Sequence, residues 1–383
     1  MTLRFLTAGE SHGPALSAII EGFPSGLALE AADIDVELQR RQSGYGRGDR
    51  MKIERDQVRI TAGVIEGVTT GAPLALWIEN RDWANWKDRQ VAPWHVPRPG
   101  HADLAGSTKY ALPDMRWIAE RASARETTTR VAVGAACKKL LRELGVAIGS
   151  YVTELGAVRA DIPAEPPSVL WASAEASDVR CPDESAAEAM RRHVDEARAQ
   201  GDSLGGVFVV AATGLPVGLG SHVHWDRRLD GRIAQAIVSI PAIKGVEIGP
   251  AFENARLPGT QVHDALYPAP GSGGGEPDCG IVRHSNRAGG LEGGITNGEP
   301  LVVRAAMKPI PTTISPLESV NTVTGEATTT QYQRSDVCAL PAACVVAEAM
   351  LAWVLADAFI EKFGGDSMGE LLRSVSVVQR RSG

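Results

Sequence analysis

Gly205-Gly206-Val207-Phe208-Val209-Val210-Ala211-Ala212-Thr213 is an apolar run opened by two glycines, and Leu215-Pro216-Val217-Gly218-Leu219-Gly220 turns the chain directly after it. A short unbroken apolar stretch between turn signals predicts a buried strand. Upstream, the spacing predicts a polar amphipathic helix over Glu184–Gln200 and one long helix over Ala119–Leu144. Further back, Ala31–Gln42 reads as a short helix. Gln57–Ile65 and Ala72–Ile78 alternate apolar and polar residues, like a hairpin around Gly67 and Gly71. The opening segment, residues 4–29, reads as short strands broken by Gly and Pro. Downstream, Ile233–Ser239 reads as helix, Leu301–Met307 as strand and Pro341–Phe363 as a late helix. Strands and helices are interleaved without the regular spacing of repeated βαβ units, which favours an α+β fold over a doubly wound sheet. No repeat or linker divides the 383 residues, so one domain is expected.

The composition narrows the function. Hydrophobic residues at 44% and charged residues at 22% are the balance of a soluble globular protein, and a net charge of −7 argues against coating nucleic acid. The long apolar segment Ala339–Ile360 contains Glu348 and Asp357, which favours a buried helix over a membrane span. Five scattered cysteines without a C-x-x-C pair suggest neither a disulfide framework nor a zinc site, and the N-terminus does not read as a secretory signal. A cytoplasmic location is expected. Arginines cluster at Arg40, Arg41, Arg47 and Arg50 and again at Arg116, Arg121, Arg125 and Arg130. Their planar forks grip carboxylate and phosphate, so an acidic chain with local arginine clusters reads as a binder of small anions.

Several polar, Gly-rich segments exceed what packing requires. Gly9-Glu10-Ser11-His12-Gly13 sets a hydroxyl and an imidazole between glycines, either as a proton-carrying site or as a plain strand-end turn. Residues 40–48, RRQSGYGRG, either wrap a phosphate or form a solvated basic turn. Residues 98–103, RPGHAD, place His101 in a turn. Residues 120–127, ERASARET, combine serine and two arginines at a helix start, an anion site or a solvated face. The glycine pairs of residues 289–298 match neither a dinucleotide fingerprint nor a P-loop, but they permit a flat ring to approach the backbone. Lys308 follows at the loop mouth. In residues 334–338, RSDVC, Asp336 stands beside Arg334 as an ion pair or as a general base held near a cation. His222 and His224 alternate as on a strand, but no third ligand accompanies them, and no metal is expected.

Taken together and in order, GESHG, RRQSGYGRG, RPGHAD, RASARET, IPAIKGVEIG, NRAGGLEGGITNGEP and RSDVCALPA resemble the chorismate synthase family over nearly the whole chain. The departures are a GSGGGEP insertion at 271–277 and a shortened stretch before Arg98. The resemblance implies a sandwich of antiparallel sheets enclosing helices, normally a homotetramer. It implies a lyase that eliminates phosphate and a C6 hydrogen from 5-enolpyruvylshikimate 3-phosphate, in the shikimate pathway to aromatic amino acids. Reduced FMN is required without net redox change.

By motif position, His12 would protonate the departing phosphate and His101 would protonate or stabilise the reduced flavin ring. Asp336 would act with the flavin in removing the C6 hydrogen, and Ser11 and Ser123 would relay protons. FMN would contact Arg121, Ala122, Ser123, Pro241, Ala242, Gly293, Lys308, Pro309, Ile310, Pro311, Thr312 and Arg334. Arg41, Arg47 and Arg125, with Arg334, would grip phosphate and carboxylates. In some relatives the positions of Arg41 and Arg47 touch NADP, and NADPH would matter here only if the enzyme were bifunctional. The compact length favours the monofunctional type. A flavin-free phosphate lyase and a flavin or nucleotide sensor are the alternatives; a pure binding module has little use for His12, His101 and Asp336 around one pocket.

Overall fold

The computed structural model describes residues 2–48, 54–268 and 281–381, with no side chains described for 378–381. The GSGGGEP insertion, Arg50 and Cys279 therefore lie outside the described residues. Two antiparallel sheets enclose a layer of helices. The first comprises β1 (Arg4–Ala8), β2 (Ala15–Glu21), β3 (Val58–Ala62) and β4 (Leu74–Glu79), in the order β1-β2-β4-β3. The second comprises β5 (Ala147–Leu155), β6 (Val158–Arg159), β7 (Gly206–Thr213), β8 (Ile243–Ile248) and β9 (Leu301–Met307), in the order β8-β9-β7-β5-β6. The apolar run of β7 places it centrally, between β9 and β5, with Phe208, Val210 and Ala212 fully buried. This is the expected α+β sandwich.

The enclosed helices are α1 (Ala31–Gln42), α3 (Thr127–Glu143), α4 (Leu229–Val238) and α5 (Leu340–Phe363), with α2 (Met115–Ala122), which has only Met115 and Ala119 buried, leading into α3. α5 is apolar around most of its surface, with Glu348 and Asp357 as exceptions within the apolar run, as suits a helix packed on several sides. It lies against β5 and β7 of the second sheet and against α1, α3 and α4, while α3 also packs on β2 of the first. Among the described residues it is the one helix long and apolar enough to cross a membrane, and 89% of that apolar window is buried inside the protein.

Where α3 meets α5 the backbones nearly touch. A Cβ at Gly134 would sit 2.3 Å from Ala349 Cβ and 2.4 Å from Ala349 Cα. A second tie is ionic. Glu348, fully buried on α5, receives Arg40 at 2.7 Å, Lys138 at 2.8 Å, Arg180 at 3.2 Å and the Ser150 hydroxyl at 2.5 Å. Glu37 joins Arg40 and Lys138.

Three local expectations are corrected. The predicted helix over Ala119–Leu144 starts earlier, in α2, and breaks at Ser123, whose φ −63° and ψ 142° are extended. The Ser123 hydroxyl accepts the Arg125 N–H at 3.2 Å, so the serine caps a new turn instead of continuing the old helix. His222-Val223-His224 forms bends, not a strand, and His224 turns aside to Asp226 at 2.5 Å. The helix expected from Ile233 begins at Leu229.

Replacing Gly134 by Ala in a helix interior ordinarily gains about 1 kcal/mol. Here the added methyl meets backbone, so Gly134→Ala is expected to lose about 1–3 kcal/mol, read as a lower denaturant midpoint. An unchanged midpoint would show that the helix pair separates freely.

Burial opposes the charge of Glu348, but Lys138, Arg40 and Arg180 outweigh it and hold the carboxyl below its ordinary value of 4.5. A depressed carboxyl stabilises the fold above its unfolded-state value and loses that contribution as pH falls. Glu348→Gln should therefore cost about 3–5 kcal/mol at neutral pH, by stranding buried cations. The gap to the wild type should narrow below pH 4.5, which paired unfolding curves at neutral and acid pH would reveal.

Candidate active site

A cleft of about 860 Å³ opens where the loops after β1, α1, α2, α4 and β9 converge with the segment before α5. The turn between β1 and β2 enters first. Gly9 has φ +114°, and a Cβ there would strike Ala15 O at 2.5 Å, so only glycine permits this tight return. Asn80 Nδ2 donates to Glu10 O and Gly13 O, and the Ser11 N–H donates to Glu120 O at 3.0 Å. His12 thus projects from a pinned turn. Its Nδ1 lies 2.7 Å from Glu120 Oε1, and its ring rests on Trp86 with centroids 4.0 Å apart.

The end of α1 divides two neighbouring arginines. Arg40 enters the buried Glu348 cluster, while Arg41 lines the cleft. Arg41 is 4% exposed; its Nε donates to Thr127 Oγ1 and its Nη2 to Ala124 O. Its Nη1 has no hydrogen-bond partner among the described residues, with Asp56 only as near as 3.5 Å. Burial draws this guanidinium down to about 10; Asp56 opposes the shift, and Arg47 and Arg125 add to it. It remains charged at neutral pH.

Beyond α1, Arg47 Nη1 meets Asp336 Oδ2 at 2.6 Å, and the Gly48 N–H donates to Asp336 Oδ1 at 2.7 Å. Gly48 admits this crossing because a Cβ would lie 2.8 Å from Ser335 O. Arg334 reaches across to Asp82 at 2.8 Å.

On the opposite side, His101 Nδ1 meets Asp103 Oδ1 at 2.5 Å, and Arg98 donates to both oxygens of Asp103. Burial disfavours the Asp103 charge, but the His101 and Arg98 bonds prevail and hold the carboxyl well below its usual range. Arg98 also reaches Thr312 Oγ1, and Lys308 Nζ donates to Gly100 O, tying this turn to the loop after β9. Burial lowers Lys308, and Lys244 adds to the effect. Ala242 has φ +70°, a strained conformation for a residue with a Cβ, and its carbonyl accepts the Lys308 N–H at 3.0 Å.

The cleft brings together Ser11, His12, Arg41, Arg47, His101, Ala122, Ser123, Arg125, Pro241, Ala242, Lys308, Ile310, Pro311, Thr312, Arg334 and Asp336. Three expected residues fall outside its lining. Arg121 points to a neighbouring hollow and bonds Thr7 and Gly9 of the first sheet's edge. Gly293 lies in the turn between the short strands Leu291–Glu292 and Ile295–Thr296, nearest His222. Pro309 does not line the cleft although both its neighbours do. Arg125 lines it but is engaged elsewhere: Asp56 at 2.6 Å, Asn80 at 2.8 Å and Glu54 at 3.5 Å.

Sequence reasoning quoted Glu120 within ERASARET without giving it a role, and it passed over Trp86 and Asp82. The signal available for those two was the density of tryptophan, Trp83, Trp86 and Trp94, in a stretch that carried no motif. Among the described residues no group of three His, Cys, Asp or Glu is placed to hold a metal ion. What the cleft offers is cationic forks for a small polyanion, two imidazoles and a carboxylate for proton movement, and an apolar wall including Met307, Ile310 and Val346.

A family profile described as chorismate synthase matches residues 3–360. A chorismate synthase from Pelobacter propionicus is 54% identical over 382 residues, covering 97% of each chain. One from Moorella thermoacetica is 56% identical over 375 residues and 95% of each. The structure titled "Crystal Structure of Chorismate Synthase" superposes with a TM-score of 0.80 at 46% identity, covering 100% of this chain and 99% of the other. With the motifs gathered in one cleft and the match running almost end to end, the chain belongs to the chorismate synthase family.

Proposed function

We propose that this protein eliminates phosphate and a C6 hydrogen from 5-enolpyruvylshikimate 3-phosphate to give chorismate, with reduced FMN as its cofactor. The observation that carries the reading is that Arg41, Arg47, His12, His101 and Asp336, from separate stretches of sequence, line one cleft. Forked guanidinium groups grip phosphate and carboxylate together. The substrate brings a phosphate and carboxylates.

The cleft also suits a flavin mononucleotide. Its volume lies within the range of cofactor sites, and Lys308 and Arg334 supply cations beside the apolar surface of Ala242, Ile310 and Pro311. When bound, reduced flavin would supply the electron density that helps the phosphate depart. The protein's own groups do the rest. Arg41 and Arg47 hold the anions, His12 delivers a proton to the leaving phosphate, and Asp336 receives the proton balance at C6. Ser11 and Ser123 stand by as relays. His101, its Nδ1 committed to Asp103, would sit beside the flavin. Arg125 serves this reading as a brace for residues 54–56 and 80 more than as a substrate ligand, given its partners. We take the chain as one domain, cytoplasmic and homotetrameric, with NADPH needed only if it can itself reduce the flavin.

Anaerobic turnover with chemically reduced FMN, following chorismate absorbance and phosphate together, tests the function. Product should form only with reduced flavin; folded, flavin-loaded protein that releases neither product would favour a sensor. Added NADPH with oxidised FMN tests for intrinsic reductase activity. His12→Ala and Asp336→Asn should each lower kcat by about 100-fold or more, as loss of a proton-transfer group does; full turnover in either removes that residue's role. Arg41→Met should raise the substrate KM by about 10-fold or more, through loss of a charge-assisted bond. An unchanged KM would place the phosphate elsewhere.

A further inference from the structure

His12 is held by one carboxylate at two points. Glu120 Oε2 accepts the His12 backbone N–H at 2.7 Å, while Oε1 meets the ring Nδ1 at 2.7 Å. The two residues are 108 apart in sequence, so this contact is made by the fold and not by local geometry. Glu120 stands on α2, just before the break at Ser123, and its own carbonyl accepts the Ser11 N–H. The turn and the helix are therefore joined at three hydrogen bonds. Trp86, from the segment after β4, lies on the imidazole face.

An ionised carboxylate only accepts, so the ring nitrogen beside it carries a proton. In the neutral ring this leaves Nε2 as the base; in the charged ring Nε2 holds a transferable proton with Glu120 as counter-charge. With Nδ1 anchored and one face covered, the ring has little freedom to turn. We propose that Glu120 is the positioning residue for His12, fixing its tautomer and ring plane so that Nε2 is the nitrogen offered for proton delivery to the departing phosphate. The assignment rests on the elimination reading above. Neither the motif nor the resemblance pointed to this role.

The test begins with the unaltered protein. Histidine ring nitrogens labelled with 15N, with His12 identified by its loss in His12→Asn, should show the neutral His12 ring protonated at Nδ1. A neutral ring protonated at Nε2 would overturn the proposal without reference to turnover. Glu120→Gln keeps the shape but removes the charge, and its amide favours the opposite tautomer. It should lower kcat about 10–100-fold with KM nearly constant, as loss of such an orienting partner does. Adding it to His12→Ala should slow the enzyme no further. A kcat within about twofold of wild type, or losses that multiply in the double variant, would sink the idea. Glu120→Asp, which keeps the carboxylate one methylene further back, should recover part of the loss and serves if the glutamine variant does not fold. Absence of turnover in the wild type would count against the elimination itself, leaving the tautomer measurement to decide the role of Glu120.

Discussion

Glu348 has no water to solvate it, and the centre of the molecule is arranged around that fact. Moving a carboxylate into a low-dielectric interior is costly unless cations and hydrogen bonds surround it. Arg40 from α1, Lys138 from α3, Arg180 from the loop after Pro167–Ala176 and Ser150 from β5 supply them. Four separately built elements are thereby fixed to α5 at one point. The direction of Arg40 into the core is also the reason its neighbour Arg41 is delivered to the cleft at a fixed depth. The ionic centre and the cleft are thus reached from two faces of the last turn of one helix.

The same logic recurs in the cleft. Arg47 is backed by Asp336, Arg334 by Asp82, Arg125 by Asp56, Arg98 and His101 by Asp103, and His12 by Glu120. Each carboxylate orients a functional cation or imidazole before any ligand arrives, so little reorganisation is left for the moment of reaction. An acidic protein can therefore bind a polyanion: its negative charge is largely spent on holding positive groups in place.

Much of this was readable in the sequence, for reasons that differ by element. The run at β7 and the helix at α5 are apolar enough to have one sensible environment, and both were placed within a residue or so. The α+β arrangement followed from irregular interleaving. The break at Ser123 was not legible, because RASARET has good helical composition and the serine's hydrogen bond to Arg125 decides the matter only once the turn exists. His12, His101, Asp336 and most of the cleft lining could be named from the sequence because they sit in motifs. Glu120 and Trp86 act through contacts with residues 108 and 74 positions away, and no local pattern encodes such a meeting. Arg125 illustrates the reverse: its residue type suggested a ligand, while three buried partners claim its guanidinium.

The close, tilted contact of Trp86 with His12 gives the cleft an optical side as well. Indole emission responds to charge near its ring, and Trp86 has both the His12 imidazole and the Arg89 guanidinium beside it. With eight tryptophans in the chain, a change of charge at His12 would be read as the part of the protein's own fluorescence that Trp86→Phe removes.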